Sequence, residues 1–72
     1  MKKGIANQLG KHVRNLRIKK ELTQEALAGR AKISLKYIQK IEGKTPPNIG
    51  LEYLEKLAIG LDVPVWELLK FK

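Results

Sequence analysis

Seventy-two residues are enough for one domain with a single small hydrophobic core. The absence of cysteine excludes disulfide bonds and thiolate zinc sites. Fifteen Lys and Arg residues against seven Asp and Glu residues give a net charge of +8, which is typical of a domain that binds a polyanion. No apolar run is long enough to span a bilayer and no signal peptide is visible, so we expect a cytoplasmic protein with no membrane partner.

The positive charge is concentrated in the first two thirds of the chain. Residues 1–47 contain twelve Lys or Arg residues and three Glu residues, a net charge of +9. Residues 48–72 contain three basic and four acidic residues, a net charge of −1. Basic side chains can also serve only to keep a protein in solution, but their segregation predicts that the first segment carries the binding surface.

The apolar pattern predicts two helices in the first part of the chain. The first covers residues 5–20, where apolar residues recur at helical spacing: Ile5, Leu9, Val13 and Leu16. The second covers residues 24–31 and follows Thr23, whose hydroxyl can accept a hydrogen bond from the free amides of the first turn.

Three further helices are predicted after these. Ser34 can cap a third helix over residues 34–42. Two prolines and an asparagine then predict a loop over residues 43–50. Residues 51–60 form the fourth predicted helix and residues 64–70 the fifth. The fold class is therefore all-α, one compact five-helix domain without a credible strand.

The second and third predicted helices are short, and a turn of about three residues joins them. The third begins with polar and basic side chains. A helix-turn-helix has this organisation: its second helix enters the major groove of DNA while its first crosses the backbone. In that groove Lys can donate to guanine, Gln can pair with adenine, and Leu can meet the methyl group of thymine.

Six segments in order carry a family resemblance: Leu9 to Lys11, Val13 to Arg17, Leu22 to Ala28, Ile33-Ser34, Tyr37 to Lys44, and Leu51 to Ala58. Together they resemble the phage Cro and CI repressor family, also called the XRE family, over nearly all of residues 9–69. The resemblance implies a lambda-repressor-like fold and sequence-specific binding of double-stranded DNA. It also implies a prokaryotic or phage-encoded, nucleoid-associated regulator that represses as a homodimer on a palindromic operator.

The resemblance also assigns roles to individual residues. It implies that the start of the third helix reads bases through five residues: Ser34, Leu35, Lys36, Gln39 and Lys40. It implies a DNA phosphate contact by Gln24, with three weaker candidates in Tyr37, Lys44 and Lys32. For Tyr37, packing in the core is an equally good interpretation, and the Lys residues of this face could be merely solvated.

Some residues are assigned to structure rather than to DNA. The family commonly pairs an Arg of the first helix with the Glu that closes the third, which implies an ion pair between Arg17 and Glu42. His12 is the only histidine and has no cysteine beside it, so we expect no metal and treat this residue as a solvated helix position.

Two residues depart from the family pattern. Lys32 stands where the family usually has glycine, so we expect a local difference in the turn. Trp66 stands where the family usually has a small polar residue, so an apolar patch of Trp66, Leu69 and Phe71 can form a dimer interface. The alternative is that these three side chains cap a small core.

No set of residues in the sequence assembles a nucleophile with its base or a metal cluster, so we expect no enzyme activity and no cofactor. We also expect no small-molecule effector. The alternative function is an antitoxin or adaptor whose basic face binds an acidic protein, because a basic face by itself does not distinguish phosphate from carboxylate.

Overall fold

The computed structural model describes residues 4–70, which form five helices and no strand. In chain order they are α1 (Ile5–Lys19), α2 (Gln24–Ala31), α3 (Leu35–Ile41), α4 (Leu51–Leu61) and α5 (Val65–Leu68). The all-α prediction is confirmed. The last helix is shorter than the predicted span of residues 64–70, because Pro64 has an extended backbone and lies before the first helical residue.

Hydroxyl caps begin the two helices of the helix-turn-helix. Thr23 Oγ1 accepts a hydrogen bond from the amide of Ala26 at 3.0 Å, and Ser34 Oγ accepts one from the amide of Tyr37 at 3.1 Å. Both predicted caps are therefore confirmed. A side chain in this position satisfies one of the amides that have no partner within the helix.

The turn between α2 and α3 keeps the left-handed conformation that a glycine would adopt there. Lys32 has φ 60° and ψ 43°, and the amide of Ile33 donates to the carbonyl of Ala28 at 3.0 Å. The expected local difference in the turn is therefore wrong. The helix-ending hydrogen bonds and the burial of Ile33 offset the strain of a lysine at positive φ.

The core lies between all five helices. It contains fourteen buried aliphatic side chains: Leu9, Val13, Leu16, Leu27, Ala28, Ala31, Ile33, Ile38, Ile41, Leu54, Leu57, Ala58, Leu61 and Leu68. Helix α2 packs closely on α4, where Gly60 has no side chain and a Cβ in its place would come within 2.8 Å of the Cβ of Ala31. This packing fixes α2, and α3 follows it through the tight turn.

Two apolar residues at helix starts are not part of this core. Ile5, the first residue of the predicted stripe of α1, is 69% exposed, and Leu51 at the start of α4 is 83% exposed. Each is the first residue of its helix. None of the helices within residues 4–70 is long and apolar enough to span a membrane.

Candidate nucleic-acid interface

Helix α3 presents a polar and basic face to solvent. Lys36, Gln39 and Lys40 are all exposed, and their spacing of three and four residues places them on one side of the helix. The opposite side carries Ile38 and Ile41, which are completely buried. The core therefore sets the rotation of α3 about its axis, and the three polar side chains face outward together.

Ser34 lies at the exposed start of this face. Its Oγ is already an acceptor for the amide of Tyr37, yet a hydroxyl keeps its own hydrogen as a donor. One side chain can therefore cap α3 and donate to an external acceptor at the same time.

Leu35 differs from the other predicted base-reading residues. It is half-buried and packs against the core, whereas Ser34, Lys36, Gln39 and Lys40 are exposed. The first turn of α3 therefore has less apolar surface for a thymine methyl group than the sequence suggests.

A hydrogen-bonded network connects α1, α2 and the end of α3. Arg17 Nε donates to Glu42 Oε2 at 2.8 Å and Nη2 donates to Oε1 at 3.0 Å, while Nη1 donates to the carbonyl of Leu22 at 2.7 Å. The two side chains are 12% and 2% exposed. Gln24 Nε2 donates to Glu42 Oε1 at 3.1 Å. Arg17 and Glu42, which were expected to pair, thus form a bidentate ion pair. Gln24 adds a hydrogen bond to the same carboxylate.

This network bears on the phosphate role predicted for Gln24. A side-chain amide has two N–H donors, and one hydrogen bond to Glu42 leaves the other for an external acceptor. Gln24 is also the first residue of α2, where backbone amides and the helix dipole favour an anion. The hydrogen bond to Glu42 fixes the direction of the side chain at this helix end.

Tyr37 is half-buried and packs against the core on one side. Its ring meets that of Tyr53 edge to face, with centroids 4.8 Å apart, and Lys56 Nζ lies 5.0 Å from the centroid of Tyr53. Sequence reasoning missed Tyr53, because its partner lies on another helix. These contacts favour a structural role for the Tyr37 ring.

Lys32 and Lys44 lie beyond the two ends of α3, and both are exposed. Lys44 and Gly43 form one wall of an open depression of about 440 Å³ with Glu42. The other wall is the first half of α1, through Asn7, Lys11 and Arg14. The sequence predicted nothing at these α1 positions, although their spacing of four and three residues marks one helical face.

His12 is not the solvated side chain that the sequence suggested. Its Nε2 lies 2.7 Å from the backbone carbonyl oxygen of Glu67, and since a carbonyl only accepts, Nε2 must donate. This bond ties α1 to α5 across 55 residues of sequence. Among the described residues, no group of three or more His, Cys, Asp or Glu side chains could hold a metal ion.

The predicted dimer patch lies partly within the described residues. Trp66 is 62% exposed and Leu69 is 48% exposed, so neither side chain is covered by the core. Lys70 Nζ lies 5.8 Å from the ring centroid of Trp66. The third predicted member, Phe71, lies outside residues 4–70.

The family described as "Helix-turn-helix domain" matches residues 10–70. No curated protein sequence matches the chain significantly.

Several solved structures are similar over most of the chain. The restriction-modification controller protein C.AhdI from Aeromonas hydrophila is 33% identical with a TM-score of 0.81, covering 88% of this chain and 94% of its own. The controller protein C.Esp1396I bound to a 19 base pair DNA duplex is 27% identical with a TM-score of 0.82, covering 93% and 92%. A hypothetical transcription factor, NHTF from Neisseria, is 32% identical with a TM-score of 0.81, covering 90% and 72%.

Proposed function

This chain belongs to the helix-turn-helix family of the XRE type, and from that premise we propose that it represses transcription as a homodimer bound to a palindromic operator. The observation that carries the proposal is the outward face of α3, where Lys36, Gln39 and Lys40 are exposed together over a buried apolar side. The similar controller protein solved with a DNA duplex supports DNA as the partner. DNA binding therefore has more support than an antitoxin or adaptor role.

Each residue of the α3 face has a defined chemical role in this proposal. Lys36 and Lys40 donate to guanine O6 and N7, and Gln39 pairs with adenine through both atoms of its amide. Ser34 donates its hydroxyl hydrogen while it caps the helix. Leu35 contacts a thymine methyl group with the part of its side chain that the core leaves exposed.

Phosphate contacts fix the position of the protein on the duplex and carry no sequence information. Gln24 binds a phosphate through its second amide hydrogen and the free amides of the first turn of α2. Lys32 and Lys44 add charge beyond the two ends of α3. The phenol of Tyr37 supplies a further donor.

The homodimer forms through the apolar patch of Trp66 and Leu69, with Phe71 as its third member. A two-fold axis places two recognition helices about 34 Å apart, which matches half-sites one helical turn apart. A dimer buries the exposed indole, whereas a monomer leaves it in water. The repressor then acts in the prokaryotic cytoplasm by occupying DNA, without catalysis, cofactor or small-molecule effector.

Selection of bound sites from a random duplex pool, at a stated near-physiological salt concentration, tests the DNA-reading proposal. We expect enrichment of a palindrome with one-turn spacing, and we expect Lys36→Ala to relax the preference at one position in each half-site. Lys19→Ala is the matched control, because it removes the same charge from an exposed residue of α1 and should lower affinity without changing the preferred sequence. Failure to enrich any sequence with the wild-type protein would overturn the proposal.

Sedimentation equilibrium tests the dimer separately. Trp66→Glu should shift the protein toward monomer and reduce affinity for the full palindrome while leaving binding to a single half-site unchanged. Leu51→Glu places the same charge on another exposed apolar residue and should keep the dimer. A Trp66→Glu protein that remains as dimeric as the wild type would exclude this patch as the interface.

A further inference from the structure

A second depression, shallow and of about 380 Å³, lies at the C-terminal end of α4. Its lining comes from the end of this helix and the connection to α5: Ala58, Ile59, Asp62, Val63 and Pro64. Ile59 is 68% exposed, whereas Leu57, Ala58 and Leu61 on the inner side of α4 are buried. The fold therefore leaves a large apolar side chain in water beside a concave surface.

The surface that continues from this depression along α4 is acidic. Glu52 and Glu55 are exposed and lie on the same side of the helix as Ile59, within an arc of about 60°, since successive residues are about 100° apart. Asp62 adds an exposed carboxylate at the depression itself. Between described residues the structure has an ion pair only for Arg17 with Glu42, so no described cation is paired with these three carboxylates. We call Glu52, Glu55, Ile59 and Asp62 the acidic-apolar face.

The acidic-apolar face points away from the recognition helix. Tyr53, whose ring contacts Tyr37 of α3, lies about 130° around α4 from the middle of this face. Lys56, the single lysine of α4, has its Nζ 5.0 Å from the centroid of the same Tyr53 ring. A partner on this face can therefore bind while α3 contacts DNA.

The chemistry of the face defines what it can bind. Carboxylates repel phosphate groups, which excludes nucleic acid and an anionic lipid surface. A complementary partner has cationic side chains opposite Glu52 and Glu55 and an apolar side chain that packs on Ile59. These three residues extend over about 10 Å of α4, which matches two turns of a partner helix. A contact of this size is at the low end of protein interfaces, as in transient complexes.

We propose that the acidic-apolar face docks a basic amphipathic helix of a protein partner. None of the residues of the face or the depression belongs to the Trp66 patch, so this surface is separate from the proposed dimer interface. The net charge of +8 repels a cationic peptide from the protein as a whole. Charges more than about 8 Å away are screened at physiological salt, so the nearby carboxylates determine the attraction at this face. The inference goes beyond the proposed function and does not depend on DNA binding.

Selection from a display library of random twelve-residue peptides, with the DNA-free protein as bait at physiological salt, tests the proposal. We expect enrichment of peptides in which Lys or Arg residues and one large apolar residue recur at helical spacing. When a selected peptide is synthesised and titrated in, the amide NMR signals of residues 52–63 should shift and those of α3 should not.

Neutralisation of the carboxylates tests the charged part of the contact. Glu52→Gln with Glu55→Gln should weaken binding of the selected peptide roughly fivefold to tenfold, the combined effect of two exposed ion pairs. The matched control is Glu21→Gln with Glu25→Gln, which removes two exposed carboxylates elsewhere and changes the net charge equally. This control should bind the peptide as the wild type does.

Removal of the apolar side chain tests the other part of the contact. Ile59→Ser should weaken peptide binding about tenfold, because the peptide no longer buries this side chain. Ile5→Ser is the matched control, since Ile5 is 69% exposed and lies on another helix. Both positions are exposed, so thermal unfolding should show that both variants fold. Ile59→Ser should also bind the operator with wild-type affinity.

Four results would overturn the inference. The first is a selection that enriches no cationic amphipathic peptide. The second is an equal loss of peptide affinity in the variants and in their controls, which would mean that the effect is not local. The third is dissociation of the dimer by Ile59→Ser in sedimentation equilibrium, which would assign the face to a second copy of this chain. The fourth is loss of operator binding by Ile59→Ser, which would give this residue a role in the DNA-binding unit. A wild-type protein that binds the peptide but no duplex would instead refute the proposed function and support this inference.

Discussion

Gly10 of α1 lies so close to Ile41 at the end of α3 that a Cβ atom on Gly10 would overlap the carbonyl oxygen of Ile41. This contact sets the distance between the first helix and the recognition helix. It also brings the basic side chains of α1 next to the loop that follows α3. The lack of a side chain on Gly10 therefore determines both the packing of α3 against α1 and the shape of the depression between them.

Gly10→Ala should destabilise the protein, since the oxygen it would meet belongs to the backbone and moves only with α3. Forcing an additional carbon into a packed interior typically costs about 1 to 3 kcal/mol. Urea unfolding measures the loss, and affinity for the operator should fall as α3 shifts.

Gly29→Ala is the matched control for this prediction. Gly29 lies within α2, is exposed, and has nothing within 4 Å of the position of an added Cβ. Alanine in a helix is more stable than glycine by about 0.5 to 1 kcal/mol, so this variant should gain stability. A Gly10→Ala protein as stable as the wild type would show that α1 and α3 are packed less closely than this geometry requires.

The pair of Arg17 and Glu42 should be worth much more to stability than a surface ion pair. Arg17→Met leaves the almost fully buried carboxylate of Glu42 with only its hydrogen bond from Gln24. Removing one partner of a buried pair costs about 3 to 5 kcal/mol, and the partial exposure of Arg17 favours the lower end. Urea unfolding of the purified variant provides the value.

A double variant separates the pair from its individual members. Arg17→Met combined with Glu42→Leu should be more stable than the sum of the two single losses predicts, because no charge remains buried without a partner. If the two losses simply add, the residues do not stabilise each other through this contact. Loss of DNA binding in either single variant at a temperature where it has unfolded says nothing about base reading.

The features that the sequence predicted from its own pattern depend on neighbouring residues, whereas the distant pair of Arg17 with Glu42 was implied by the family resemblance. Thr23 and Ser34 cap the helices that follow them. A cap needs only a hydroxyl that can accept a hydrogen bond from the backbone amide three residues later in the chain. The spacing of Lys36, Gln39 and Lys40 likewise gives their common face without knowledge of the rest of the fold. The family assignment follows from many such local patterns in the right order.

The features that the sequence did not predict depend on contacts between distant segments. The hydrogen bond of His12 to Glu67 and the ring contact of Tyr37 with Tyr53 each join separate helices. A hydrophobic pattern identifies the buried side of a helix but not the residue opposite each position. The partial burial of Leu35 has the same origin, since helices beyond α3 decide how much of its side chain they cover.

Lys32 is a site where stability and DNA affinity should change in opposite directions. A left-handed backbone costs an ordinary residue about 1 to 2 kcal/mol, while glycine loses about 0.5 to 1 kcal/mol in flexibility, so Lys32→Gly should gain roughly 0.5 kcal/mol. The same change removes a positive charge beside α3, and we expect weaker binding to the operator with an unchanged sequence preference. Thermal unfolding and a binding isotherm measure the two effects.

Asp62→Gly is the comparison for Lys32→Gly. Asp62 ends α4 with φ 59° and ψ 47°, nearly the same backbone conformation. Its substitution should also stabilise the fold, although by less, because aspartate tolerates this conformation better than lysine. If Asp62→Gly weakens operator binding as much as Lys32→Gly does, the loss of affinity comes from a glycine at a left-handed helix end and not from the lost charge of Lys32.

The hydrogen bond from His12 to the carbonyl of Glu67 should hold α5 on the rest of the domain. Helix α5 has only four residues and one buried side chain, Leu68, so it has few other contacts to keep it in place. His12→Ala should cost about 1 kcal/mol in global stability, the usual net value of one hydrogen bond. Because α5 carries Trp66, the same variant should also weaken the proposed dimer.

Amide hydrogen exchange distinguishes a local loosening of α5 from a loss of global stability. In His12→Ala, protection of the amides should fall in α5 well before it falls in α2. Asn15→Ala, an exposed change on α1, should leave the protection of both helices unchanged. Equal loss of protection in α5 and α2 would mean that His12 supports the whole core and not this helix in particular.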